Sequence, residues 1–137
     1  GRQCRHNLKY WRYRPYAGFG AAACSFIDGK RTSADADPGR YILAVNAGGE
    51  PEPAETDRPD AGTAMAEFAF MALRLAEGLR FDHFKNRFGV DFTAVYGEVA
   101  AGLAREGLVA AAPTGISLTP AGMKLGNRVF AAFLPGL

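Results

Sequence analysis

The chain has 137 residues, the length of one ordinary domain or of one small domain with a tail. Hydrophobic residues make up 48% and charged residues 22%, which excludes a fully disordered or collagen-like chain, and no run of about 18 apolar residues exists to cross a bilayer. The formal net charge of +2 is unevenly spread: residues 1–31 carry seven Lys/Arg against Asp28, whereas residues 32–60 carry seven acids against two Arg. A basic block of this kind favours an anionic partner such as a carboxylate, phosphate or nucleic acid, and a solvated surface is its ordinary alternative. The polar start, on Gly1 with no apolar core of a signal peptide, reads as part of something longer. Two cysteines, Cys4 and Cys24, are too few for a disulfide framework and fit a reducing, cytoplasmic setting.

Residues 1–45 are aromatic, basic and glycine-rich. Cys4-Arg5-His6-Asn7-Leu8-Lys9-Tyr10-Trp11 places an imidazole beside a thiol, an amide and two large aromatic rings. Histidine is a common nitrogen ligand and a proximal ligand of haem iron, and Tyr10 and Trp11 suit packing against a planar ring. On spacing alone, a structural or exposed histidine stands beside that reading. Gly18-Phe19-Gly20-Ala21 lets backbone approach another group closely, as a nucleotide-like ligand needs, although the sixth position of the full dinucleotide fingerprint is Ala23. A tight strand-to-loop packing site is the alternative there. Cys24 reads as a small buried residue.

Residues 46–62 are acidic and broken by three prolines, so they read as a linker or surface loop. Helical periodicity begins at 63. A first helix is expected over about 63–77, capped by Thr63 or Asp60, with Met65, Phe68, Ala72, Leu75 and Leu79 on one stripe and Gly78 as the stop. A short second helix follows Asp82 and ends at Gly89, with His83 on its surface. A third begins after Asp91, with Phe92, Val95, Tyr96, Val99 and Leu103 apolar and Gly107 as the stop. Residues 108–111 and 115–118 read as a hairpin, and Thr119-Pro120 starts a last helix that runs to Leu134. The order helix, helix, helix, hairpin, helix is that of a winged helix. Duplex DNA is not expected as a partner, because the third helix offers Arg105 against Asp91, Glu98 and Glu106, and the wing is uncharged.

The first motif, then Tyr16-Ala-Gly-Phe-Gly-Ala-Ala-Ala-Cys-Ser-Phe26, Leu73-Arg-Leu-Ala-Glu-Gly-Leu79, Arg87-Phe-Gly-Val90 and Leu118-Thr-Pro-Ala-Gly122 resemble the oxygen-independent coproporphyrinogen III oxidase family of radical SAM proteins. Within it, His6-Asn7-x-x-Tyr10-Trp11 resembles the haem-chaperone branch. The resemblance implies an α+β chain: residues 1–45 as the strand-and-loop end of a radical SAM barrel, 46–62 as a linker, and 63–137 as a mostly α-helical, winged-helix-like domain. It implies His6 as an iron ligand with Asn7, Tyr10 and Trp11 around haem, and Gly18, Phe19, Gly20 and Ala21 on the S-adenosylmethionine side. Haem or coproporphyrinogen, and the barrel of the same protein, are the implied partners. The family often has histidine where Cys24 stands, so that histidine's role has no counterpart here.

A [4Fe-4S] cluster needs a Cys-x-x-x-Cys-x-x-Cys motif that this chain lacks, so the chain alone is expected to be inactive. Two further functions remain open at this level. One is a true coproporphyrinogen dehydrogenase, which decarboxylates two propionates oxidatively. The other is a winged-helix module that contacts a protein.

Overall fold

The computed structural model describes residues 3–48 and 53–134. The chain divides into two units. One takes residues up to Tyr10 together with Arg14–Pro59, and the other takes Trp11–Tyr13 and the residues from Asp60 onward.

In the first unit, α1 (Arg5–Trp11, its last residue grouped with the second unit) is followed by a hairpin of β1 (Cys24–Ile27) and β2 (Lys30–Ser33). Asp28 and Gly29 join the strands in two residues, both at positive φ (52° and 72°), the handedness that lets a tight turn follow the twist of its strands. Asp37 then caps α2 (Pro38–Asn46), accepting from the N–H of Gly39 at 2.7 Å and of Arg40 at 3.1 Å, with Pro38 in the first turn where no N–H is needed. The strand-and-loop expectation for residues 1–45 is therefore corrected: two helices flank the hairpin.

β3 (Glu55–Asp57) pairs antiparallel with β2, giving the sheet order β1-β2-β3, and Arg31 faces Asp57 across it at 3.6 Å. Part of the span expected as a linker is thus strand, because its backbone completes the open edge of β2; residues 49–52 lie outside the described residues. Among the described residues of this unit, Phe26, 4% exposed, is the large apolar side chain that is buried, and α2 buries none.

The second unit holds α3 (Ala61–Ala72), β4 (Leu79–Arg80), α4 (Phe81–Phe88), α5 (Phe92–Arg105), β5 (Val109–Ala112), β6 (Gly115–Leu118), α6 (Pro120–Lys124) and α7 (Gly126–Ala131). The sheet is antiparallel in the order β4-β6-β5. Asp60, not Thr63, is the cap of α3, accepting from the Thr63 N–H at 2.7 Å. α3 stops at Ala72 rather than running to 77, and the chain turns to reach Gly78 at φ 71°. A side chain at Gly78 would collide with the Ile116 carbonyl and with Ser117, so only glycine lets β4 lie this close to β6.

β4 is two residues long and carries no periodicity, and its pairing of Leu79 with Ile116 makes the hairpin a three-stranded sheet. Val95, expected on the apolar stripe of α5, is 41% exposed; Phe92, Tyr96 and Leu103 form the buried face. The expected last helix breaks at Leu125 (φ −108°, ψ 29°) into α6 and α7, which lets Val129 and Phe133 turn inward.

The core is aromatic. Phe84, fully buried, meets Phe68 at 5.9 Å, Phe92 at 5.4 Å and Tyr96 at 6.2 Å, each near edge-to-face. Phe92 in turn stacks on Phe81, and Tyr96 meets Phe133 at 5.3 Å. Residues 11–13 join this unit through side chains: Tyr13 donates to Glu67 at 2.9 Å and sits under the Arg87 guanidinium at 4.7 Å, while Arg12 reaches Glu77 at 3.4 Å. Truncating a ring at the centre of such a cluster leaves a cavity that rigid neighbours cannot fill, so Phe84→Ala is expected to cost about 3–5 kcal/mol in urea unfolding. A loss under about 1 kcal/mol would mean that the cluster is not closely packed.

Candidate functional site

α1 brings the first motif together. His6 and Tyr10 lie one helical turn apart and so share a face. Their rings are edge-to-face with centroids 5.0 Å apart, and the Tyr10 hydroxyl is 2.8 Å from His6 Nε2. Behind them Tyr10 meets Tyr16 edge-on at 4.5 Å, and Tyr16 meets Phe26 at 6.3 Å. Tyr16 and Phe26 also exchange both backbone hydrogen bonds, at 2.9 and 2.8 Å. A continuous line of rings therefore runs from exposed His6, through half-buried Tyr10 and Tyr16, to the buried Phe26.

Asn7 is exposed on the same helix. Trp11, half-buried, is grouped with the second unit. Arg5, Lys9 and Arg14 are exposed cations of this segment. Tyr16 and Phe26 are members of the site that the sequence reading missed. Tyr16 opens the glycine-rich stretch, but its partnership with Tyr10 depends on the turn after α1, which no local spacing encodes.

The glycine-rich stretch is a pinned loop. A Cβ on Gly18 would collide with the Cys24 carbonyl oxygen, so the loop lies directly on β1. The Gly18 N–H donates to Ser25 Oγ at 3.0 Å, and the Gly20 N–H donates to the Tyr41 hydroxyl at 3.1 Å. Those two donors are used internally, which leaves the Phe19 ring, 88% exposed, as the surface that this loop offers, with Ala21 half-buried beside it. Cys24 is exposed, not buried: it is the first residue of β1, with Sγ 3.5 Å from Ser33 Oγ on β2. Cys24 shares a face of β1 with Phe26, two residues on, but it stands at the end of the strand, where it stays exposed while Phe26 is buried.

Among the described residues the second unit carries no comparable pair of His and Tyr donors. A shallow concavity of about 190 Å³ lies on its sheet, among Leu79, Arg80, Ala110, Ala112, Gly115 and Ser117. Arg80 there is bound to Asp82 by two bonds, at 3.0 and 2.7 Å. This fork holds the Asp82 carboxyl at about 2, helped by the His83 N–H. His83 is exposed, as expected. Among the described residues no group of three or more His, Cys, Asp or Glu is placed to hold a metal ion, and no helix is long and apolar enough to cross a membrane.

Residues 60–125 match the HemN C-terminal domain family. Over 134 residues, 98% of this chain, the sequence is 33% identical to the heme chaperone HemW of Bacillus subtilis and 28% identical to that of Lactococcus lactis. A heme chaperone HemW from Synechocystis is 64% identical over 31 residues, 23% of this chain. The fold is similar to that of the Escherichia coli coproporphyrinogen III oxidase (HemN), described as a radical SAM enzyme, with a TM-score of 0.68 at 20% identity over 90% of this chain and 29% of that one. The chain spans 35% of the length of the Bacillus and Lactococcus relatives.

Two outcomes follow from these placements. Both thiols are exposed, so a thiol reagent should modify Cys4 and Cys24 in the folded chain without denaturant, and protection of Cys24 would place it inside. Asp82 has a lowered pKa in the folded state, so its contribution to stability is present above its ordinary value of 3.8 and is lost as pH falls through about 2. Asp82→Asn should therefore melt below the parent chain at neutral pH, with the gap closing between about pH 4 and 2.

Proposed function

We infer that this HemN/HemW-like chain is the C-terminal part of a radical SAM, coproporphyrinogen III oxidase-like protein that carries haem, and that the surface of α1 faces the porphyrin. The observation that carries this reading is the exposed His6–Tyr10 pair, backed by a line of rings that fixes its orientation. Its donors fit haem: an imidazole nitrogen and a phenol oxygen are both known axial ligands of haem iron. Arg5, Lys9 and Arg14 supply the charge that propionates need. The likeness to two proteins named heme chaperone HemW, over 98% of the chain, supports the chaperone role over the dehydrogenase.

His6 serves as the nitrogen donor, with Asn7, Tyr10 and Trp11 as the wall around the ring. Gly18, Phe19, Gly20 and Ala21 form a wall for S-adenosylmethionine, in which the exposed Phe19 ring offers a stacking face and the two glycines set backbone position rather than donate. A [4Fe-4S] cluster does not fit this chain's own residues, since only two thiols are present and the three-cysteine cluster motif is absent. When bound elsewhere in the whole protein, such a cluster would supply the electron that radical chemistry requires. The free, exposed cysteines support a reducing, cytoplasmic location.

Residues 60–134 support a winged-helix-like reading through their element order and the β4-β6-β5 sheet. The exposed side of α5 presents Thr93, Ala94, Val95 and Ala101 with few cations, which favours contact with protein over duplex DNA. The protein surface it meets would be another part of the same protein, in keeping with relatives nearly three times as long as their matched part.

Ferric haem titrated into the chain should give a saturable Soret shift. His6→Ala should weaken it about 10–100-fold, the usual effect of losing a ligand's orienting partner or more. Equal binding by both chains would mean adsorption and would overturn the site.

A further inference from the structure

The edge of a sheet exposes a row of backbone N–H and C=O groups, and proteins blunt such edges with charge, with very short strands or with covering chain. Among the described residues the two sheets end in β1, β3, β4 and β5. Beside β1, Tyr16 bonds to Phe26 in both directions and the Gly18 loop lies on Cys24. β3 carries Glu55 and Asp57. β4 is two residues long and carries Arg80, forked onto Asp82. Among these, β5 alone has no such guard: Val109-Ala110-Ala111-Ala112 is uncharged, its last three residues are exposed, and Pro113 falls in the turn beyond it. The ladder shows which of its groups are open. The Thr119 N–H donates to the Leu108 carbonyl at 3.1 Å. Bonded and non-bonded pairs alternate along an antiparallel ladder, so Ala110 and Ala112 turn their N–H and C=O to Ser117 and Gly115, and those of Val109 and Ala111 point away from β6.

Independently of the haem-carrying reading, we propose that β5 pairs with β5 of a second copy of this chain, antiparallel about a two-fold axis at Ala110. In that register Val109 of each copy faces Ala111 of the other, and each such pair exchanges both backbone hydrogen bonds, about four bonds in all. Ala110 meets its own copy as a non-hydrogen-bonded pair, where Cα atoms approach to about 4.5 Å and a methyl group fits. Self-pairing about a two-fold axis sets identical residues opposite one another, so a charge at the centre of the strand would repel its copy. This strand carries no charge, and its central residues are alanines. The same composition favours a second copy over a foreign strand. Strand addition by a foreign peptide draws its specificity from pockets for alternate side chains, whereas Ala110–Ala112 presents methyl groups. A self-paired edge needs no such pockets, because its register follows from the two-fold axis.

An interface this short belongs to the weak class, so the full chain is followed by sedimentation velocity from about 10 µM to 1 mM. The parent should pass from monomer to dimer and no further, since pairing uses up the edge. Ala110→Lys and Ala110→Glu each set like charges opposite one another and should weaken the dimer about fivefold or more, while an equimolar mixture of the two should restore it. Ala111→Pro removes an N–H that the hairpin does not use and should weaken the dimer about tenfold or more. Near-ultraviolet circular dichroism checks that each variant keeps its fold. Dimerisation unchanged in Ala110→Lys and Ala111→Pro would place the interface elsewhere and overturn the proposal. So would failure of the mixture to recover a dimer that each variant alone has lost. A parent that stays monomeric throughout would also overturn it and leave the edge to a strand of another protein. None of these outcomes bears on haem binding, which the titration above reads separately.

Discussion

Phe84 is the point through which the second unit is held together. It stands on α4, yet its ring is covered by Phe68 of α3 and by Phe92 and Tyr96 of α5, so three helices converge on one side chain with no exposure to water. Edge-to-face geometry makes these contacts directional, which fixes how the helices cross as well as that they meet. Phe92 and Tyr96 then pass the packing on to Phe133 after α7. Two close backbone approaches complete the arrangement. Gly78 admits β4 against β6, and Gly122 packs on the Leu108 carbonyl with no room for a side chain.

The first unit works by a different economy of packing. Phe26 is its buried large side chain, and α2 leaves Ile42 and Leu43 at 55% and 71% exposure. A sheet and two helices with so little buried apolar surface gain their order from hydrogen bonds and tight turns: the Asp28-Gly29 hairpin, the Asp37 cap, the Tyr16–Phe26 bridge, and the Gly20–Tyr41 bond that ties the loop to α2. The rings of Tyr10 and Tyr16 extend that small core outward to His6. A candidate ligand group at the surface is thereby given a fixed orientation by a buried residue two rings away, which is the support a binding site needs.

Fold and site bear differently on function. The aromatic unit of residues 60–134 carries the family match over most of its length, while the proposed haem site rests on the His6–Tyr10 pair of the first unit. Resemblance in fold leaves chaperone and dehydrogenase undivided, since one fold hosts many functions.

Much of the second unit was legible before any coordinates. Gly78, Gly89 and Gly107 each take positive φ, and the Thr119-Pro120 start of α6 is as expected, because left-handed turns and capping are local properties of a few residues. The hairpin at Asp28-Gly29 and the cap at Asp37-Pro38 were equally local and went unread amid the glycine-rich, basic composition of their surroundings.

Other features had no local sign. Two-residue β4 exists because β6 has a free edge, and β3 because β2 does. Val95 lies outward because α5 is rotated to point Phe92 and Tyr96 at Phe84. The break at Leu125 serves the burial of Val129 and Phe133. Cys24 stays exposed at the end of β1 although it shares a face with the buried Phe26. By itself the sequence determined the stops of α4 and α5 at Gly89 and Gly107, the start of α6 at Thr119-Pro120, the charge of each segment, and the four-residue spacing of His6 and Tyr10. Only the tertiary structure decided which face of each element is buried and that Tyr16 stands behind Tyr10, since burial and side-chain contact depend on residues distant along the chain.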